Sequence, residues 1–113
     1  MGEKMAKEAK IDYDKENDIL YVYTKEHASD SVEFDNFVID YSSRGMIVGV
    51  EIMKATDFIN KFGLKKSFLE NATAASISVI QGKEYALIKV LIAAAGDTKE
   101  ITVPSPVPQM VCC

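Results

Sequence analysis

Two carboxylates, Asp40 and Glu51, interrupt runs that are otherwise mostly apolar, FVIDY and IVGVEIM. A pair of acids in a partly dry pocket is how glycosidases and aspartic proteases divide acid and base roles. Asp40 and Glu51 are therefore this chain's candidates for carboxylate chemistry. Either can instead face solvent or accept bonds from backbone N–H groups, and no set of binding or oxyanion groups accompanies them in the sequence. Antiparallel pairing through the turn between them would bring the two together, and register decides whether they share a face.

A second group, Asp12, Asp14, Glu16 and Asp18, alternates acids as the opening of a calcium loop does. An EF-hand loop begun at Asp12 needs Gly at its sixth position and Glu at its twelfth. Those positions hold Asn17 and Tyr23, so the match fails. What remains is weak divalent binding or a solvated lead-in to a strand. The chain has one histidine, His27, no tryptophan, and no cysteine before Cys112 and Cys113. Metal sites and nucleophilic dyads draw on His and Cys at set distances, so no cofactor is expected. His27 sits in a charged loop and reads as solvated. Cys112-Cys113 reads as a flexible tail with reactive thiols, not as the prenylated end of a GTP-binding protein, because the G-x-x-x-x-G-K-[ST] loop is missing.

Charge narrows the partners. The net charge is −4, divided as twelve acids against six bases in residues 1–51 and five acids against seven bases after them. An acidic half repels phosphates, and a single arginine, Arg44, provides poorly for bidentate readout. The lysines Lys54, Lys61, Lys65 and Lys66 are the one basic cluster, and they read as the solvated face of an amphipathic helix. Nucleic acid is thus an unfavoured partner. No apolar run reaches the length of a membrane span, and the N-terminus lacks an apolar signal segment. Met1-Gly2 opens a myristoylation motif that Ala6 breaks. A cysteine-free body fits the cytoplasm.

These residues need elements to position them. A chain of 113 residues with 48% hydrophobic content is expected to fold as one domain. Residues 1–10 read as a flexible tail, 11–103 as the domain and the proline-rich 104–113 as a second tail. β-branched and aromatic content marks strands at Ile19–Thr24, Ser31–Phe34, Phe37–Tyr41 and Met46–Met53, the last two joined by a Ser42–Gly45 hairpin. Tyr21, Tyr23 and Tyr41 follow strand spacing, as packed rings with a hydroxyl at the rim. The period then changes: Thr56 is placed to cap a helix through Phe58, Ile59 and Phe62, with Gly63 ending or bending it and the segment continuing to Asn71. A meander follows over Ala75–Ile80, Tyr85–Ala95 and Glu100–Val103. The expected fold is α+β, mostly antiparallel: four strands, a helical segment and a three-stranded meander, with the helix packed on the sheet.

The segment from Tyr13 to Met53 resembles the prokaryotic domain-of-unknown-function family 2283. The residues that carry the resemblance are Tyr13, Asp14 and Asp18, the ILYVY strand, and FVIDYSSRGMIVGVEIM. The family has no assigned activity, and its members are often encoded beside small toxin-like proteins, so the resemblance implies a protein partner more than a substrate. Three readings follow. The first is a non-enzymatic protein-interaction or regulatory module, in an antitoxin-like role; the second is a small-ligand or divalent-metal binding domain; the third is a carboxylate-based enzyme. Tyr85–Ala95 is apolar on both faces, with Ile88, Val90 and Ile92 on one and Leu87 and Leu91 on the other. That excess of apolar surface suggests a homodimer or a small protein partner, unless two sheets of one chain cover each other.

Overall fold

In ILYVY, Leu20 and Val22 are fully buried while Ile19, Tyr21 and Tyr23 point the other way, the period-2 signature of a strand with one face in a core. The same alternation repeats along most of the chain. The computed structural model describes residues 6–82 and 85–106. Eight strands run in the order β1 (Lys7–Asp14), β2 (Ile19–Tyr23), β3 (Asp30–Phe34), β4 (Phe37–Tyr41), β5 (Ile47–Met53), β6 (Ala72–Gln81), β7 (Tyr85–Ala94) and β8 (Asp97–Pro106). Two short helices, α1 (Ala55–Asn60) and α2 (Lys66–Glu70), lie between β5 and β6.

All strand pairs are antiparallel, and the spatial order is β3-β4-β5-β2-β1-β6-β7-β8. Strand β1 is the corner. Lys10 to Asp14 pair with β2, whereas Lys7 to Ala9 pair with β6, so one strand serves both halves. The halves curl toward each other. The Tyr41 hydroxyl of β4 lies 3.4 Å from the Ser105 hydroxyl of β8, both buried, although these strands stand near opposite ends of the strand order.

This architecture corrects the α+β expectation. The helical segment is six residues and five residues, parted at Gly63, whose φ of +78° is the left-handed conformation that ends a helix. The helices do not cover a sheet face. They insert Ile59, Leu64 (from the loop between them) and Leu69 into a core already closed by the second half-sheet. The physical reason is that Ile88, Val90, Ile92, Ile101 and Val103 pack in the same cluster as Leu20, Val22, Ile39 and Val50, leaving no open face for a helix layer. The strands number eight and form one curved sheet. The additional strand is β1, whose Lys7–Lys10 portion falls where a tail was expected.

Residues 1–5, the end of the proline-rich segment beyond Pro106, and Cys112-Cys113 lie outside the described residues. No helix among the described residues is long and apolar enough to cross a membrane.

Candidate functional site

Asp40 and Glu51 share the outer face of the sheet, and a β-bulge puts them there. Tyr41 pairs with Ile47, but Asp40 pairs with Gly49, so Val48 is an extra residue in β5. A regular ladder continuing from Tyr41 and Ile47 would set Asp40 opposite Val48, and a one-residue shift moves every side chain to the other face. With the bulge in place, two cross-strand rows form outside the core. One runs Lys10, Tyr23, Gly49, Asp40, Ser31; the other runs Asp12, Tyr21, Glu51, Val38, Glu33.

Asp40 is 8% exposed and is held from two sides. The Tyr21 hydroxyl donates to its Oδ2 at 2.9 Å and the Ser31 hydroxyl to its Oδ1 at 2.7 Å. The bond to Tyr21 passes over β5, which is possible because the residue beneath it is Gly49. A Cβ there would lie 2.9 Å from Asp40 Oδ2 and 3.4 Å from Tyr23 Cβ. Tyr23 stacks on Tyr21, ring centroids 4.5 Å apart. Burial, the bond to Asp40, and the charges of Asp40 and Glu51 together push the Tyr21 hydroxyl up to about 12. It stays protonated at neutral pH and acts as a fixed donor. Both oxygens of Asp40 are thus occupied, and the arrangement ties β2, β3 and β4 together across β5.

Beside this cluster lies an open cleft of about 380 Å³, lined by Lys10, Tyr21, Tyr23, Lys25, His27 and Asp40, with Val48 of the bulge. Its lining mixes both signs of charge, and His27 itself is exposed.

A second polar cluster was missed in the sequence. Asp18, at φ +56°, turns its carboxylate under α1. It accepts from the Thr56 backbone N–H at 3.1 Å, the Thr56 hydroxyl at 2.7 Å and the Tyr13 hydroxyl at 2.6 Å, while its own carbonyl accepts from the Ala55 N–H. Thr56 therefore does not cap α1. Asp18, from a turn between β1 and β2, satisfies donors that the first turn leaves open, and Lys54 at the N-cap position offers no side-chain bond. Burial alone would raise the Asp18 carboxyl, but the bonds from Tyr13 and Thr56 outweigh it and hold the group below the ordinary carboxylate range. Burial, followed by the bond to Asp18, raises Tyr13. The sequence carried only a partial signal: Asp18 lies in a turn between two strands and Thr56 at a helix start, where a carboxylate is favoured, but β2, β3, β4 and β5 separate them along the chain.

The remaining acids of the first run do not converge. Asp14 closes its own turn through the Asn17 side-chain amide and the N–H groups of Asn17 and Glu16, which in that order lower its carboxyl. Asp12 and Glu16 are exposed. No group of three or more His, Cys, Asp or Glu residues stands at metal-binding spacing among the described residues. The lysines also separate: Lys61 lies over the Phe58 ring, and Lys66 reaches the Lys15 carbonyl. On β7, Ile88, Val90 and Ile92 are fully buried in the chain's own core, which leaves Leu87 and Leu91 as the half-exposed apolar residues of the other face.

The two edges of the sheet differ. On β8, Pro104 cannot donate a hydrogen bond, and Lys99 and Glu100 make ion pairs with Asp97 and Lys89, all devices that discourage further pairing. On β3 all five residues are exposed, with no proline or lysine, and Val32 and Phe34 stand 39% and 40% open. Nothing in the sequence marked β3 as an edge, because edges are set by tertiary pairing.

The chain is 42% identical over 65 residues to the uncharacterized protein MJ0789 of Methanocaldococcus jannaschii; the match covers 54% of this chain and 55% of that protein. The chain thus spans about half the length of the curated relative it matches. No solved structure matches. Neither the relative's name nor the family description assigns an activity. Asp18, Tyr21, Asp40, Gly49 and Glu51 all fall within residues 10–55, and that segment matches the family described as protein of unknown function (DUF2283).

Proposed function

We propose that this protein is a non-enzymatic interaction module, cytoplasmic as its cysteine-free body fits, that docks a protein partner at the open edge of β3. The observation that carries the reading is the contrast between edges. Strand β8 is guarded by proline and paired charges, while β3 leaves its backbone edge and the side chains of Val32 and Phe34 uncovered. An unguarded edge is a template for another strand, and added strands gain affinity from main-chain bonds and specificity from alternate side chains. The outer-face cluster supports this role. Ser31 of β3 is bonded to Asp40, and Asp40 to Tyr21, so the edge is anchored to the middle of the sheet and presented as a rigid strand.

The test is affinity capture from the lysate of its own cells, comparing the natural chain with a Val32→Asn, Phe34→Asn double variant. Both substitutions fall at exposed positions, and far-UV circular dichroism checks that the fold is kept. A protein retained by the natural chain and by a Leu91→Asn control, but lost from the double variant, is the expected result. Equal retention by all three removes β3 as the docking edge.

A further inference from the structure

Resting on the edge-docking reading above, we propose that the strand β3 accepts is a cationic one, with apolar residues alternating with Lys or Arg. The argument starts from the two sides of β3. Val32 and Phe34 pair with Ile39 and Phe37, and so point to the core side, where they end an apolar line that continues through Phe37 to Phe58 and Phe62. Ser31 and Glu33 pair with Asp40 and Val38 and point outward. A strand laid beside β3, roughly 4.8 Å away, brings alternate side chains next to each set. Those on the core side must be apolar to cover Val32 and Phe34. Those on the outer side meet Glu33.

Charge fixes what the outer set must be. From Glu26 to Ser43 the chain carries five acids and no lysine or arginine. Glu26 is already paired with Lys7 and Arg44. Asp40 is bonded to Tyr21 and Ser31. Asp30, Glu33 and Asp35 lie at the start, on the outer face and at the end of the edge, and none of the three makes an ion pair among the described residues. Opposite charges in such cross-strand positions are favourable and like charges unfavourable. The same charges argue against a second copy of this chain. Pairing two β3 edges would gather six carboxylates at one seam between molecules that each carry −4.

The experiment uses the full chain and three capped seven-residue peptides in which Val alternates with Lys, Thr or Glu. Binding is read by chemical-shift changes and amide-exchange protection at β3. The Val-Lys peptide is expected to protect the β3 amides, to bind about tenfold or more tighter than the Val-Glu peptide, and to weaken as salt rises. A Glu33→Lys, Asp35→Lys variant should reverse the order of the two charged peptides. Equal binding by all three leaves edge docking standing and overturns the cationic partner. Binding by none overturns both. A dimer in sedimentation equilibrium that is lost in the Val32→Asn, Phe34→Asn variant makes the second copy the occupant and likewise overturns it.

Discussion

Replacing Gly49 by alanine tests whether the outer-face cluster is a packed device or a loose coincidence of polar groups. The backbone at Gly49 does not need a positive φ, so alanine introduces no conformational strain. What it introduces is a methyl carbon 2.9 Å from Asp40 Oδ2, in the space through which Asp40 reaches Tyr21. The carboxylate must turn away and give up that bond. A hydrogen bond to a charged acceptor contributes about 1.5–3 kcal/mol. Losing glycine's freedom in the unfolded chain returns about 0.4–1 kcal/mol. The net expectation is a loss of about 1–2 kcal/mol, which for a domain of this size lowers Tm by roughly 4–10 °C. The assay is a double-mutant cycle by urea and thermal unfolding, with Asp40→Ala as the second substitution. Once Asp40 is gone the methyl has nothing to displace, so Gly49→Ala should become neutral or slightly stabilising. Should Gly49→Ala cost the same in both backgrounds, to within about 0.5 kcal/mol, the two residues are uncoupled and the reasoning fails.

Two pH responses follow from the two clusters, with opposite signs. Asp18 is lowered in the folded chain, so the unfolded chain binds its proton first as pH falls, and the contribution of Asp18 is present above the unfolded value and lost as pH drops through the folded one. The stability gap between the natural chain and Asp18→Asn, measured by urea midpoints, should therefore close as pH falls below about 4; a gap that stays constant with pH refutes the cap. Tyr21 is raised to about 12, so its contribution is complete below pH 10 and is lost as pH rises toward 12. Phenolate absorbance should contain a late step near 12 that Tyr21→Phe removes, and titration of every tyrosine near 10 would contradict the Tyr21–Asp40 bond.

What could be read from the sequence is what local chemistry determines. The FVIDY and IVGVEIM strands and their turn were legible because Gly45 supplies a φ of +79° between two alternating runs. The neighbours of Asp40 were not, because one extra residue at Val48 sets the face, and a bulge leaves no reliable mark in a run as apolar as MIVGV. Strand β1 did carry its pattern, with Ala9, Ile11 and Tyr13 alternating along one side, but the intervening Lys and Asp residues gave it the composition of a tail. The helical segment was overextended for the converse reason. Phe58, Ile59, Leu64, Phe68 and Leu69 do fall at helical spacing, yet Gly63 breaks the backbone between them, and the core they were expected to roof is closed by β6, β7 and β8. Helix length here is limited by how little surface the strands leave uncovered.

That closure also extends the family-like segment into one longer sheet. Taken alone, the segment within residues 10–55 has the order β3-β4-β5-β2-β1, with β3 and β1 at its two edges. In this chain β6 pairs with Lys7, Glu8 and Ala9 of β1, just before the family match begins. The strands beyond it end at the proline-guarded β8, and Tyr41 meets Ser105 where the curved sheet comes round. The added strands therefore do two things at once. They supply Ile88, Val90, Ile92, Ile101 and Val103 as the second wall of the core, and β6 pairs the Lys7–Ala9 portion of β1, while Lys10–Asp14 pair with β2 alone. Strand β3 ends the sheet on the other side, the one strand of the eight whose five residues are all exposed, with Ser31 and Glu33 on its outward face. Because Ser31, Asp40 and Tyr21 connect that edge to β2, a partner strand that reorders Ser31 should also change the Asp40 bond that, after burial, raises the Tyr21 hydroxyl. The late phenolate step then becomes a reporter of docking from inside the sheet.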